Sequence, residues 1–266
     1  MLEAVRRMVV ESMHQSENGS KLNKIWPQIP RHTPPLIPKT NAVARTDRLY
    51  CPICGQFAPS FNEYGLIRRP DAQCPTCRSL ERHRLAWAFF VRFTNLKRIQ
   101  DGLMLHVAPE SCMEAKFRSL KSIQYMSADL SSHRAMVKMD LTHMAYPNRT
   151  FDIIYCSHVL EHIVDEQSAL NELYRVLKNG GWAVIQVPTI AAATYEDNAV
   201  TAPADRTRIF GQHDHVRNYG PDFGQRLTGV GFNVIHIMAA DVVTPTEMQV
   251  TAIRSHHDLF YCIRDG

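Results

Sequence analysis

Beyond Gly102 short apolar runs alternate with amphipathic stretches. LMLHVA (103–108), IQYMSA (123–128), FDIIYCS (151–157), WAVIQVP (182–188), FNVIHIM (232–238) and DLFYCI (258–263) read as strands, and VKMDL (137–141) as a weaker one. Ahead of WAVIQVP, Leu170, Leu173, Tyr174 and Leu177 recur at i, i+3, i+4, i+7, which predicts a helix, with Asn179-Gly180-Gly181 as its stop. Seven strand runs alternating with helices predict an α/β domain over 102–266, built on a doubly wound, mostly parallel sheet of seven strands. Ligands of such sheets bind at the carboxyl ends of the strands, near the topological switch point, so the residues closing each strand are the first candidates for a site.

The front of the chain follows other rules. In residues 79–100, Leu85, Trp87, Phe89, Phe90 and Phe93 lie among arginines and predict an amphipathic linking helix (79–101) whose apolar side packs on the next domain. Residues 49–78 hold four cysteines and read as a small zinc ribbon. Five prolines between Pro27 and Pro38 forbid regular helix, so residues 1–48 read as an extended or flexible arm.

A chain of 266 residues, 45% hydrophobic, can bury one large core beside a small module. No stretch approaches the about 20 apolar residues of a membrane span, and no apolar leader opens the chain, so a soluble, cytoplasmic protein is expected. Residues 1–101 carry sixteen Lys and Arg against eight Asp and Glu, whereas the remainder is mildly acidic. An anionic partner would therefore meet the front half, although a merely soluble basic surface has the same composition. The cysteines number seven. Four sit as two CxxC pairs, while Cys112, Cys156 and Cys262 lie singly in apolar or helical surroundings, as small buried residues do. An odd count clustered in this way points to a reducing compartment and a metal, not a disulfide framework.

Cys51-Pro-Ile-Cys54 and Cys74-Pro-Thr-Cys77 can each turn two thiolates toward one tetrahedral Zn²⁺, and Gly55 suits the tight turn after the first pair. Four thiolates close the coordination sphere, so the metal's expected role is structural. Arg78, Arg82, His83 and Arg84 follow directly and form either an anion-binding patch or a solvated helix face.

Tyr125–Pro188 resembles class I S-adenosylmethionine-dependent methyltransferases of Rossmann-like fold. The resemblance is carried by Ala128-Asp129-Leu130, Asp140-Leu141-Thr142, FDIIYCSHVLEHI (151–163) and ELYRVLKNGGWAVIQVP (172–188). It implies that Asp129 accepts the ribose hydroxyls of S-adenosylmethionine, with Leu130 beside it at the cofactor. It places Asp140 and Leu141 beside the adenine amino group, and Cys156, Ser157 and His158 under the methionine part. Glu161-His162 taken alone reads as helix surface. The family's Gly-rich loop after the first strand is replaced here by LHVAPESC (105–112), which has no glycine. With CPxCxSxxRHR ahead of it, this loop resembles a distinct bacterial subfamily in which small Ala108 still permits close approach. Glu110 there either faces the cofactor or caps the next helix.

The same resemblance extends to Thr194-Tyr195-Glu196-Asp197 and FGQHDHVRNYG (210–220), inside a long insertion at 189–220 that reads as a lid. In an extended segment His213, His215 and Arg217 would point one way, as candidate bases and an acceptor anchor, with Asp214 opposed. A His/Asp network that only anchors the lid is the alternative, and a metal at His213/Asp214/His215 lacks a further ligand pair. Three functions follow. The first is methyl transfer to an O or N nucleophile of a small-molecule or saccharide acceptor. The second is RNA methylation, docked by the basic ribbon half. The third is a non-catalytic zinc-binding adaptor, suggested by the missing glycines.

Overall fold

The computed structural model describes residues 35–38 and 48–266. The arm expected over 1–48 lies outside the described residues save for 35–38 and Arg48; within it Leu36 is buried against the main core.

Two small hairpins come first. Strands β1 (Leu49–Cys51) and β2 (Gln56–Ala58) pair antiparallel, as do β3 (Asn62–Tyr64) and β4 (Arg69–Gln73). Helix α1 (Glu81–Phe93) follows and carries the five expected apolar residues, all buried. It is not amphipathic in the expected sense, because Arg84 and Arg92 are buried as well. Arg84 donates to the carbonyls of Ala72 (3.0 Å), Ser79 (2.8 Å) and Ala252 (3.0 Å), and Arg92 to Val242 O (2.8 Å) and Glu247. Each guanidinium thus spends its fork on buried acceptors that water cannot reach. The helix and the cysteine ribbon share one apolar cluster with Met104, Tyr155 and Ile237 of the sheet, so it is a wall of the core and not a free linker.

The sheet begins with β5 (Gly102–Val107), then α2 (Ser111–Arg118), β6 (Ile123–Asp129), β7 (Val137–Lys138) and β8 (Phe151–Ser157). A 3-10 turn (Leu160–His162) leads to α3 (Glu166–Val176) and β9 (Leu177–Gln186). The 189–220 insertion contributes β10 (Tyr195–Glu196), α4 (Pro203–Phe210) and β11 (Arg217–Asn218). Helix α5 (Phe223–Gly229), β12 (Asn233–Met238), α6 (Ala239–Val242), α7 (Pro245–Thr251) and β13 (Asp258–Ile263) complete the chain.

Strand order across the seven-stranded sheet is β12-β13-β9-β8-β5-β6-β7, and only β13 runs antiparallel to its neighbours. The Rossmann-like, mostly parallel sheet expected from the sequence is therefore present. The chain steps outward from β5 to β7 and then returns to β8 on the opposite side. That reversal puts the switch point between the ends of β5 and β8. Of the helix repeat, Leu177 has already turned extended (φ −74°, ψ 136°) and pairs with Phe151. Asn179-Gly180-Gly181 consequently lies within the strand run instead of capping the helix. Gly181 is needed there because a Cβ would stand 2.8 Å from Lys178 O and 3.0 Å from Asp152 O. Leu170, Leu173 and Val176 of α3 fill a second apolar cluster on the other face of the sheet. Each such fully buried side chain contributes about 1.5–3 kcal/mol. Among the described residues no helix is long and apolar enough to cross a membrane.

Candidate functional site at the strand ends

At the switch point the chain leaves two neighbouring strands through left-handed residues that are not glycine: Ala108 after β5 (φ 47°) and His158 after β8 (φ 54°). A left-handed turn is what glycine ordinarily supplies at a close approach. Ala108 adopts it here, its N–H bonded to Ala128 O at 2.8 Å.

Glu110 begins α2 without capping it, which sets aside that expectation. Its carboxylate accepts instead from His83 Nε2 (3.1 Å) and His106 Nε2 (2.9 Å), tying α1 to the loop after β5. His83 Nδ1 accepts from Leu80 N–H at 3.0 Å and His106 Nδ1 from the Tyr125 hydroxyl at 3.0 Å, so both rings carry their proton on Nε2. Burial, reinforced by the Arg82 charge, lowers the His83 pKa to about 4. Burial alone would raise the Glu110 carboxyl, but the two histidines hold it well below its usual range. The unfolded chain binds a proton near pH 6.5 that folded His83 refuses until about pH 4. Its contribution is thus complete above pH 6.5 and falls as pH drops from 6.5 toward 4, with about 2 kcal/mol gone by pH 5. Urea unfolding at pH 7 and pH 5 should show this loss, and His83→Gln should reduce it without abolishing it, since burial lowers the His257 pKa to about 3 as well. Equal midpoints at the two pH values would count against a buried neutral His83.

Arg82, one turn from this network, has a buried Nε with no hydrogen-bond partner. Burial and then its charge hold the His158 pKa down. Of the expected anion patch only Arg78 is exposed; His83 and Arg84 are buried, and Arg82 turns to the strand ends.

Asp129 closes β6, and its Oδ1 accepts from Ser131 N (2.8 Å) and Ser132 N (2.6 Å), leaving Oδ2 open. Leu130 beside it is 60% exposed. Asp140 is exposed, and hydrogen bonds from Thr142 lower its pKa. Leu141 and Cys156 differ from expectation: both side chains are buried in the second apolar cluster, so neither can line a cofactor site except through backbone. Cys112 and Cys262 are buried as expected.

The insertion is a folded unit. Strands β10 and β11 pair Glu196 with Arg217, and Val216 N–H donates to Glu161 O at 2.9 Å, which brings the segment onto the end of β8. Its three candidates do not point one way, because 211–214 is a turn and not a strand. His213 stands in solvent, its side chain 74% exposed, with only Asp214 near (3.9 Å). His215 is buried, with Nδ1 3.3 Å from Phe210 O and its ring edge-on to His162. Arg217 is no acceptor anchor. It is buried, and donates to the carbonyls of Leu160 (2.7 Å), Ile163 (2.5 Å) and Val164 (3.0 Å) and to Glu196 (2.9 Å). Glu161 is buried, contrary to the surface reading, and no periodicity in the sequence marks it.

The four sulfurs of Cys51, Cys54, Cys74 and Cys77 lie within 4.8 Å of one another, with Cys51–Cys77 at 3.6 Å and Cys54–Cys74 at 3.8 Å. Zn–S bonds of about 2.3 Å in a tetrahedron require edges of about 3.8 Å, so the set fits Zn²⁺. Gly55 (φ 76°) and Arg78 (φ 60°) make the same left-handed turn after each pair, with Gly55 N–H on Cys51 O and Arg78 N–H on Cys74 O. The hydrogen bond from Cys77 is the main cause that lowers the Cys51 thiol to about 4, so one thiolate is formed readily.

Residues 105–185 match the family described as a methyltransferase domain. No curated protein sequence matches the chain. Among solved structures it is similar to an S-adenosylmethionine-dependent methyltransferase of Archaeoglobus fulgidus (14% identity, 70% of this chain, 95% of that one, TM-score 0.47). It is also similar to phosphoethanolamine N-methyltransferase 2 of Haemonchus contortus, solved with S-adenosylhomocysteine (11%, 69% and 53%, TM-score 0.45). The [4+2]-cyclase SpnF is a third (14%, 78% and 88%, TM-score 0.49). The stretch that matches the methyltransferase-domain family thus runs from β5 through β9 of the sheet just described.

Proposed function

We propose that the chain transfers a methyl group from S-adenosylmethionine to an oxygen or nitrogen of a small-molecule or saccharide acceptor, beneath the 189–220 insertion. The observation that carries this reading is the pair of left-handed strand ends, Ala108 and His158, with the orphaned Arg82 Nε beside them. Bound there, the cofactor supplies an electrophilic methyl carbon on a sulfonium that is already a good leaving group. The open Asp129 Oδ2 would take the ribose hydroxyls, the exposed Leu130 would offer an apolar contact beside it, and the Arg82 guanidinium would hold the cofactor's carboxylate. His158 is the base: its Nδ1 faces Glu161 Oε1 at 3.2 Å, which leaves Nε2 to take the proton of the acceptor O–H or N–H. The insertion excludes water, and one Zn²⁺ on the four cysteines stiffens the ribbon that packs with α1, the helix carrying Arg82.

The RNA alternative loses two of its cations, since His83 and Arg84 are buried. The adaptor alternative loses its ground, since Ala108 takes the conformation a glycine would.

Calorimetry with S-adenosylhomocysteine tests the reading. Asp129→Ala and Arg82→Gln should each remove a charge-assisted hydrogen bond of about 1.5–3 kcal/mol, roughly ten- to a hundredfold in affinity. Labelled cofactor offered with fractionated cell extract should then mark small molecules or glycans. Label entering RNA would overturn the acceptor class, and no heat from saturating cofactor would overturn the reading itself.

A further inference from the structure

We infer that Glu161, His162 and His215 form a second metal site, which takes one divalent first-row cation and presents it to the acceptor. One ligand atom from each of the three lies within 4.8 Å of the others. Glu161 is the independent observation. Its side chain is 1% exposed, and neither carboxylate oxygen has a hydrogen-bond partner, although His158 Nδ1 stands 3.2 Å from Oε1. A buried carboxylate without hydrogen bonds is costly, and a cation between it and two imidazoles offsets that cost.

The imidazoles are already oriented. His162 Nδ1 faces Asp214 Oδ2 at 3.2 Å, and His215 Nδ1 faces the carbonyl of Phe210 at 3.3 Å. Each proton is thereby held on Nδ1 and each lone pair left on Nε2, the arrangement that outer partners impose on metal-bound histidines. Two elements far apart in sequence supply the set, and they are fastened to each other. Val216 N–H bonds Glu161 O, and Arg217 grips the carbonyls of Leu160 and Ile163 on either side.

Bond lengths of about 2.0–2.2 Å bring ligand atoms closer than 4.8 Å. The set therefore tightens on binding, chiefly through His162, whose side chain is 35% exposed. The Gln212 amide, 2.9 Å from His215 Nε2, gives way to the ion. Two nitrogens and one carboxylate oxygen suit Zn²⁺, Mn²⁺, Co²⁺ or Fe²⁺, and three protein ligands leave positions open. An acceptor hydroxyl in an open position would lose its proton more readily, toward His158. That last step rests on the methyl-transfer reading; the metal site does not.

The test is a Mn²⁺ titration of the zinc-loaded full chain, followed by the paramagnetic resonance of free Mn²⁺. The thiolate site prefers Zn²⁺ and does not compete. One Mn²⁺ per chain is expected. Glu161→Gln and His215→Asn should weaken it about a hundredfold or more, because even outer partners are worth about 10–100-fold in metal affinity. His162→Gln, at a partly exposed side chain, keeps the test valid if the buried variants fail to fold. Absence of uptake of Mn²⁺, Co²⁺ or Zn²⁺ beyond the cysteines, or Mn²⁺ binding in His162→Gln and Glu161→Gln as tight as in wild type, overturns the inference. S-adenosylhomocysteine binding is measured separately. Cofactor heat without Mn²⁺ uptake removes this site alone, and Mn²⁺ uptake without cofactor heat removes the methyl-transfer reading alone.

Discussion

Cys74→Ser, or exposure of the wild-type chain to a strong chelator, is expected to unfold the ribbon and lower the melting temperature of the whole protein. The two hairpins are short, and three of their four strands have three residues each. Units of that size do not stand alone in water. A structural Zn²⁺ contributes about 10–16 kcal/mol of folding free energy to small modules. The loss should spread, because Cys51, Ile53, Phe61 and Cys74 share one cluster with α1 and the sheet. Arg84 would also be stranded, since Ala72 O and Ser79 O are ribbon carbonyls. Metal analysis of protein purified without added zinc should find about one equivalent on these cysteines. Melting that is unchanged by chelation, or a disulfide between these cysteines in reduced protein, would refute the assignment.

The strands were legible because each is a short apolar run closed by polar residues, and six of the seven begin within one residue of the expected start. The exception, β9, begins at Leu177 because the tight Asn-Gly-Gly crossing is itself paired. The zinc ligands were legible because two CxxC pairs encode their own geometry. Side-chain direction was not. Arg84 read as part of an anion patch or solvated face and Arg217 as an acceptor anchor, yet both, like Arg92, are buried on backbone carbonyls, and carbonyl positions leave no trace in residue type. Ala108 illustrates a subtler limit. The missing glycines predicted a weakened loop, but the left-handed turn is a property of φ, and alanine adopts it at a cost of about 1–2 kcal/mol. Glu161 escaped for the same reason as the arginines. Its burial depends on the insertion folding back over the end of β8, a contact between residues more than fifty apart.

Arg217→Ala should be a stability variant before it is an activity variant. The guanidinium is 2% exposed and makes four hydrogen bonds, three to the turn after β8 and one to Glu196. Glu196 in turn holds Arg226, and Arg226 holds Glu166, which accepts from the Tyr219 hydroxyl. Removing Arg217 leaves three carbonyls and one carboxylate short of a donor at the hinge between the insertion and the sheet. Each buried carbonyl left without its donor costs about 1–3 kcal/mol, while the pair with Glu196, whose side chain is 38% exposed, adds little. Arg217→Lys should recover only part of this, since an ammonium cannot span the four acceptors that a planar fork reaches. Urea unfolding of the two variants against wild type measures the cost, and the order wild type, Lys, Ala is expected. Cofactor affinity should change little in either variant while it is folded, because Asp129 and Arg82 belong to other elements. If instead Arg217→Ala unfolds like wild type and only the acceptor KM rises, the guanidinium serves the acceptor after all. The insertion would then have to open far enough to turn a buried clamp into a binding group.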